Sequence, residues 1–339
     1  MINTKVNDTE LLEAEFYSKP FKFSYSSMSK LITAPSVFYK EYILKEREDE
    51  FKKYLLEGIL IHFLVLENQN FDDKFLVMPD SLPSSNSITV IDKVYEMYKE
   101  KDDPSLILMD FSPEIDNILT DMKLHQNVKD QAKRIAKIVE PKGENYFEFL
   151  KKKQGRTIID SELLDKCTRR AEIVRDNECI SELLGLNLVS DGKNYGVYNE
   201  LPLEIEAEEG KAFGYKGIVD NVVVDVKAKT VRINDFKTTS KSLVDFPESV
   251  EYWNYWLQAV IYLKLVQDYL DRAIDNTWSV EFRFIVFDRH NQLYAFPVRT
   301  STLEDWKAKF MNVEKEAEYH YNSKDFTLPY KYAQGIVNL

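Results

Sequence analysis

Two aspartates, Asp220 and Asp235, stand fifteen residues apart in GYKGIVDNVVVDVKAKTVRINDFKTTSKS (214–242), and Lys237 follows the second by two. The Val- and Ile-rich flanks tend to alternate, which predicts antiparallel strands, with residues 227–229 as a hairpin turn. The turn lies roughly midway between the aspartates, so their carboxylates can converge. Within a strand Asp235 and Lys237 share a face and Phe236 takes the other. Two carboxylates and an ammonium on one face are costly unless they bind something. The pair suits Mg²⁺, a hard cation that prefers oxygen ligands together with waters and substrate phosphate. The lysine could then hold or deprotonate a water near a scissile phosphate. The simpler reading makes both aspartates solvated strand ends and Lys237 an exposed cation, and for an isolated D-x-K it wins. The second aspartate, the β-rich flanks and the helix that follows favour a site.

That helix carries Gln258 and Tyr262 in YWNYWLQAVIYLKLV (252–266), at i and i+4 on one face. Trp253, Tyr255 and Trp256 read as aromatic core packing. A buried Gln258 amide, by contrast, needs a partner. His62 lies within GILIHFLVL (58–66); taken alone, a histidine in such a run is more often a satisfied core residue than a ligand.

The elements that must position these groups follow from periodicity and breakers. Residues 24–44 read as a helix entered through serines and restarted at Pro35, and residues 46–67 as a second helix. Residues 68–86, with Pro79, Pro83 and a Ser-rich turn, read as a surface loop, and 87–104 as a short helix. A helix starts at Ser112-Pro113 and continues to about 139, where Pro141 and Gly143 break it. Residues 144–153 read as a short element, in one reading a strand. Residues 160–185 read as one long helix with Gly185 as its C-cap. Strands follow over 195–205, 212–226 and 230–236, then a helix over 247–270, strands over 278–288 and 292–298, and a helix over 302–320. The fold class is therefore α+β or mixed α/β.

Composition limits the alternatives. In 339 residues, 44% are hydrophobic and 30% charged, a balance that supports a buried core. Two cysteines, Cys167 and Cys179, are too few for a disulfide scaffold, a four-cysteine zinc site or an iron–sulfur cluster, and point to a reducing compartment. The N-terminal stretch lacks signal-peptide character, and the longest apolar run is about half a membrane span. The expectation is a soluble cytoplasmic protein. A net charge of −12 argues against generic phosphate binding, though a local basic patch and metal-binding carboxylates are compatible with it.

Asp220, Asp235-Phe236-Lys237 and Gln258-x-x-x-Tyr262 resemble the PD-(D/E)XK nuclease superfamily, in its RecB-like branch with the Q-x-x-x-Y motif. MSKLITAPSVFYKEYI (28–43) and EGILIHFLVLE (57–67) are similar to the start of the exodeoxyribonuclease VIII (RecE) type of phage recombination exonuclease. The resemblance covers roughly residues 26–66 and 160–270. It departs from the family name at Val219-Asp220, where the name has Pro-Asp. It implies a restriction-endonuclease-like core, a central mixed sheet flanked by helices, with an N-terminal helical extension. One nuclease domain would span 1–339, its mostly helical part over 24–155 contributing His62 and its core occupying 156–325.

The resemblance implies that Asp220, Asp235, Lys237, Gln258 and Tyr262 form the catalytic set. His62, Asp220, Asp235 and the Phe236 backbone carbonyl would hold Mg²⁺, with Glu200 as an additional acidic residue. Glu204 and Glu206 share the Glu200 strand face by parity. An imidazole ligand favours substitution by Mn²⁺, and the two cysteines exclude an iron–sulfur relative. Thr238, Thr239, Ser240 and Lys241 are placed for phosphate contacts, with Lys151–Lys153 and Arg169–Arg170 as remote candidates. The implied activity is 5′-to-3′ degradation of linear duplex DNA to leave 3′ overhangs for recombination. Ring-shaped homo-oligomers (trimer or tetramer) and a single-strand annealing partner are implied with it. Two alternatives are a structure-specific or single-strand endonuclease of the same superfamily and a non-catalytic DNA- or protein-binding relative.

Overall fold

The computed structural model describes residues 21–46, 53–67, 71–101, 103–153, 155–191, 193–270, 277–333 and 335. The chain opens with strand β1 (Phe21–Phe23), helices α1 (Tyr25–Thr33) and α2 (Pro35–Phe38), and a wider π-type turn (Tyr39–Ile43). Helices α3 (Lys53–Leu66) and α4 (Phe71–Lys74), strand β2 (Phe75–Val77) and helices α5 (Ser85–Lys99), α6 (Ser112–Asp121), α7 (Gln131–Ala136) and α8 (Pro141–Lys152) come next. Strand β3 (Thr157–Ile159) leads to helices α9 (Ser161–Asp176) and α10 (Glu178–Leu184). Strands β4 (Tyr195–Ile205), β5 (Phe213–Asp225) and β6 (Thr230–Thr238) precede helices α11 (Phe246–Tyr252) and α12 (Tyr255–Leu270). Strands β7 (Ser279–Phe287) and β8 (Leu293–Pro297) and helices α13 (Thr300–Ser323) and α14 (Tyr330–Ala333) complete it. The chain divides into two units, residues 1–67 with 170–339, and residues 68–169.

The first unit is built on a mixed sheet. β5 pairs antiparallel with β4 along most of its length and with β6 over residues 221–225, and β1 adds in parallel at residues 213–215. β6 then pairs in parallel with β7, which pairs antiparallel with β8. A parallel neighbour needs a crossover, and α11 and α12 supply it. α12 is apolar nearly all round, as a helix buried against a sheet must be: Trp256, Leu257, Ile261 and Leu265 join Val222, Ile233 and Phe284 of the strands and Phe310 of α13 in one core.

The second unit is mostly helical. Val90, Ile91 and Val94 of α5, Ile115 and Leu119 of α6, and Phe147 and Leu150 of α8 form its core. β2 and β3 form a short parallel ladder in the same unit.

Several sequence expectations are corrected. Residues 68–86 include α4 and β2 rather than a plain loop; three-residue strands are too short to carry periodicity. The helix from Ser112 stops at Asp121, where Lys123 and His125 take positive φ. Pro141 starts α8 instead of breaking a helix, and residues 144–152 are helical rather than a strand; proline fits a first helical turn. Gly143 is needed there because a Cβ would lie 1.7 Å from the Ile138 carbonyl oxygen. Residues 160–185 form two helices, since the Asn177 side chain caps Ile180 N and restarts the helix. Gly185 does end the second, in the left-handed region at φ 67°. The helix expected over 247–270 breaks at Asn254, φ 56°. The N-terminal stretch read for signal-peptide character lies outside the described residues. Among the described residues no helix is long and apolar enough to cross a membrane.

Candidate functional site

His62 is carried by α3, which three side chains of the same unit hold in place. Arg170 Nη1 donates to Glu57 Oε1 at 2.5 Å near the start of the helix. Arg175 donates to the Leu64 carbonyl, and Asn199 Nδ2 to the Leu66 carbonyl at 2.7 Å. Those carbonyls belong to the last turn, where a helix has no internal donors left. Gly58 allows close passage over the end of β6, because a Cβ there would stand 3.0 Å from Thr238 Oγ1. One turn later His62 meets the carboxylates.

His62 Nδ1 lies 2.7 Å from Glu200 Oε1, and Nε2 lies 3.1 Å from Asp220 Oδ2. The ligand atoms of these three residues all fall within 4.8 Å of one another. Asp220 is buried and meets three elements of the site. Its Oδ2 accepts from Phe236 N at 2.9 Å, and its Oδ1 faces the Tyr262 hydroxyl at 3.5 Å. Tyr262 in turn accepts from Gln258 Nε2 at 2.9 Å. The partner expected for the Gln258 amide is therefore the other member of its motif.

Alternation along β6 divides the remaining groups. The Phe236 ring stands 5.6 Å from the His62 ring, whereas the Lys237 ammonium stands 5.0 Å over the Tyr255 ring. Asp235 shares the Lys237 side; the register of β5 and β6 sets it opposite Asp220, and the charges of Asp220 and His62 both act on it. Lys237 Nζ is 2.7 Å from Asp235 Oδ2. That ammonium satisfies Oδ2, whereas the buried Asp235 Oδ1 and Gln258 Oε1 accept no hydrogen bond. Tyr255 packs against the core as expected, and its spacing of three from Gln258 also places it on the motif's face, beside the Lys237 ammonium.

Charge controls protonation here. Burial disfavours a charged His62, but Asp220 and Glu200 outweigh it and push its pKa up to about 10. Burial raises the Asp220 carboxyl, yet the His62 and Lys237 charges hold it below the ordinary value. Burial, reinforced by the Asp220 charge, pushes Asp235 up to about 6 against the opposing pull of Lys237. Burial disfavours the Lys237 ammonium, but Asp235 and Asp220 raise its pKa, so it is cationic at neutral pH.

The residues fit a divalent cation. A buried carboxylate oxygen without a donor is expensive, at about 1–3 kcal/mol, and a hard cation satisfies it. The donor set of carboxylates plus one imidazole suits Mg²⁺ or Mn²⁺.

The other expected contacts separate into two groups. Thr238 and Thr239 are half-buried beyond Lys237, and Ser240 and Lys241 are exposed, with the Lys241 ammonium 5.5 Å from the Tyr252 ring. Arg170, expected as a remote contact, is only 8% exposed and structural: it binds Glu57 and the Asp288 carbonyl and stacks over Phe287. Lys151 is likewise engaged with the Leu106 carbonyl and Glu148. Trp256 is core as read, but Trp253 is 51% exposed and Tyr252 71%, because the chain turns out of the helix at Asn254. Glu204 and Glu206 pair with Lys22.

No protein-family profile and no curated protein sequence matches the chain. Among solved structures, one named "Putative exonuclease" from Eubacterium rectale is similar at 11% identity and a TM-score of 0.45, covering 96% of this chain and 88% of that one. That likeness is too slight to bear on function.

Proposed function

We propose that the protein is a divalent-cation-dependent deoxyribonuclease with a PD-(D/E)XK core. The observation that carries this reading is the convergence of His62, Glu200 and Asp220 beside a buried Asp235–Lys237 pair. The mixed sheet with its flanking helices, and the Gln258–Tyr262 link to Asp220, support it.

Asp220, Asp235, His62 Nε2 and the Phe236 carbonyl would hold Mg²⁺ or Mn²⁺. When bound, the ion supplies Lewis acidity at the scissile phosphate and stabilises charge on the leaving oxygen. Glu200 faces Nδ1 of the same imidazole, the arrangement in which a carboxylate orients a metal-binding histidine and sets its tautomer. Lys237, cationic and fixed between Asp235 and the Tyr255 ring, orients the attacking water and offsets phosphate charge. Tyr262, backed by Gln258, orients Asp220. Thr238, Thr239, Ser240 and Lys241 lie directly after Lys237 and would contact phosphates.

The finer assignment rests on the sequence resemblance. It is a RecE-type exonuclease acting 5′-to-3′ on linear duplex DNA, in the cytoplasm of a bacterial or phage-infected cell. A ring-shaped homo-oligomer and a single-strand annealing partner belong to the same proposal, and a basic channel inside an acidic ring would reconcile the net charge of −12 with DNA.

The test is digestion of end-labelled linear duplex and closed circular DNA with Mg²⁺. Loss of the linear substrate alone, from the 5′ end, is expected. Equal attack on circles would assign an endonuclease instead, and no digestion with any divalent ion a binding protein.

A further inference from the structure

Each acidic residue of the site has an asparagine as chain neighbour: Asn199 precedes Glu200, Asn221 follows Asp220, and Asn234 precedes Asp235. The sheet register aligns the three in one row across β4, β5 and β6, Asn199 opposite Asn221 and Asn221 opposite Asn234. Their side chains form a directed chain of amides. Asn234 Nδ2 donates to Asn221 Oδ1 at 2.5 Å, Asn221 Nδ2 to Asn199 Oδ1 at 2.6 Å, and Asn199 Nδ2 to the Leu66 carbonyl at 2.7 Å. Asn221 and Asn234 also donate to the Leu184 and Leu183 carbonyls at the end of α10.

Both inner asparagines are fully buried. Apolar residues would pack there without needing partners, so a connected row of amides specifies position as well as stability. Its outer end anchors the last turn of α3, one turn beyond His62. It also crosses the β4–β5 pair next to the position where the ladder opens: Asn199 and Leu201 are paired with Asn221 and Val219, while Glu200 between them is left-handed at φ 48° and unpaired. A non-glycine residue in that conformation persists only where its surroundings hold it.

We propose that Asn199, Asn221 and Asn234 are positioning residues of the metal site, fixing His62 through the end of α3 and Glu200 through the bond beside it. This rests on the metal-dependent reading above. Hydrogen-bonded groups outside the ligand shell commonly change metal affinity by about 10–100-fold when removed.

The experiment is Mn²⁺ titration of the full chain followed by calorimetry, with thermal unfolding measured in parallel. Asn199→Ala removes both bonds of the half-buried outer member. Asn199→Asp keeps the acceptor for Asn221 and loses the donor to Leu66. Both are expected to bind Mn²⁺ about tenfold or more weakly while unfolding cooperatively. Mn²⁺ affinity within twofold of wild type in both, with only the unfolding temperature lowered, would make the row structural and overturn the proposal. Wild-type protein that binds no Mn²⁺ would overturn the metal reading itself. Should Asn199→Ala fail to fold, Asn199→Asp, which keeps the link to Asn221, decides the matter.

Discussion

Glu200 and Asp220 stand opposite one another across the β4–β5 ladder, and the pairing opens at that one position between two intact neighbours. His62 of α3 bridges the two side chains, one ring nitrogen toward each carboxylate. A continuous ladder would send the Glu200 and Asp220 backbones to each other. The left-handed turn at Glu200, which costs about 1–2 kcal/mol in an L-residue, frees the carboxylate to reach an imidazole instead.

Glu200 is expected to tune the site without being indispensable to it. Glu200→Ala should weaken Mn²⁺ binding about 10–100-fold and leave measurable nuclease activity at saturating ion. Calorimetric titration with steady-state assays at high Mn²⁺ checks this. Complete loss of binding would make Glu200 a direct ligand.

Protonation gives a signed pH dependence. The folded His62 pKa of about 10 exceeds its ordinary 6.5, so its stabilising contribution is full below 6.5 and is lost as pH rises toward 10. Asp235, raised from 3.8 to about 6, acts in the same direction at lower pH: its contribution is present below 3.8 and gone above 6. Metal-free protein should therefore lose stability relative to His62→Asn as pH climbs from 6.5 to 10. Apparent Mn²⁺ affinity should rise over the same window, by up to about tenfold per pH unit while one proton is displaced. Denaturant unfolding and Mn²⁺ titration across pH measure both.

Lys237→Met should separate binding from turnover. Removing an ammonium 2.7 Å from Asp235 leaves the site more negative, so Mn²⁺ binding should persist or tighten. kcat should fall by about 10²–10⁴, the usual contribution of a positioned proton-handling group. Single-turnover digestion beside Mn²⁺ titration distinguishes the two effects, and unaltered turnover would remove Lys237 from the chemistry.

Arg170→Ala should act on the fold. It strips a partner from Glu57 and a donor from the Asp288 carbonyl, in a place where the guanidinium is buried. A loss of about 3 kcal/mol in unfolding free energy is expected. DNA affinity of the folded variant should be unchanged. Lys241→Ala should do the reverse, weakening DNA binding and flattening its salt dependence by about one phosphate contact with little effect on unfolding.

Local pattern made much of this legible. Strand β4 has the expected limits, and the alternation of Asp235, Phe236 and Lys237 foretold which groups share a side. Less legible were features set by distant contacts. Which helix meets each side chain of β6 was not legible: the His62 ring of α3 lies against Phe236 and the Tyr255 ring of α12 against the Lys237 ammonium. Periodicity read helices through Asn177 and Asn254, where a capping side chain and a left-handed residue break them. Arg170 looked like a surface cation because nothing local indicates that Glu57, Asp288 and Phe287 enclose it. Nothing local marks Asn199, Asn221 and Asn234, since only the register across three strands aligns them.

The most direct test is Mn²⁺ binding followed by electron paramagnetic resonance of the free ion, comparing wild type with Asp220→Asn. Asp220 touches His62, Phe236 N and Tyr262 at once, so it ties three elements of the site together. Saturable Mn²⁺ uptake by wild type, reduced at least about a hundredfold by Asp220→Asn in a protein that still unfolds cooperatively, is the expected result. Equal uptake by the two proteins, or none by wild type, would contradict a cation held between these residues.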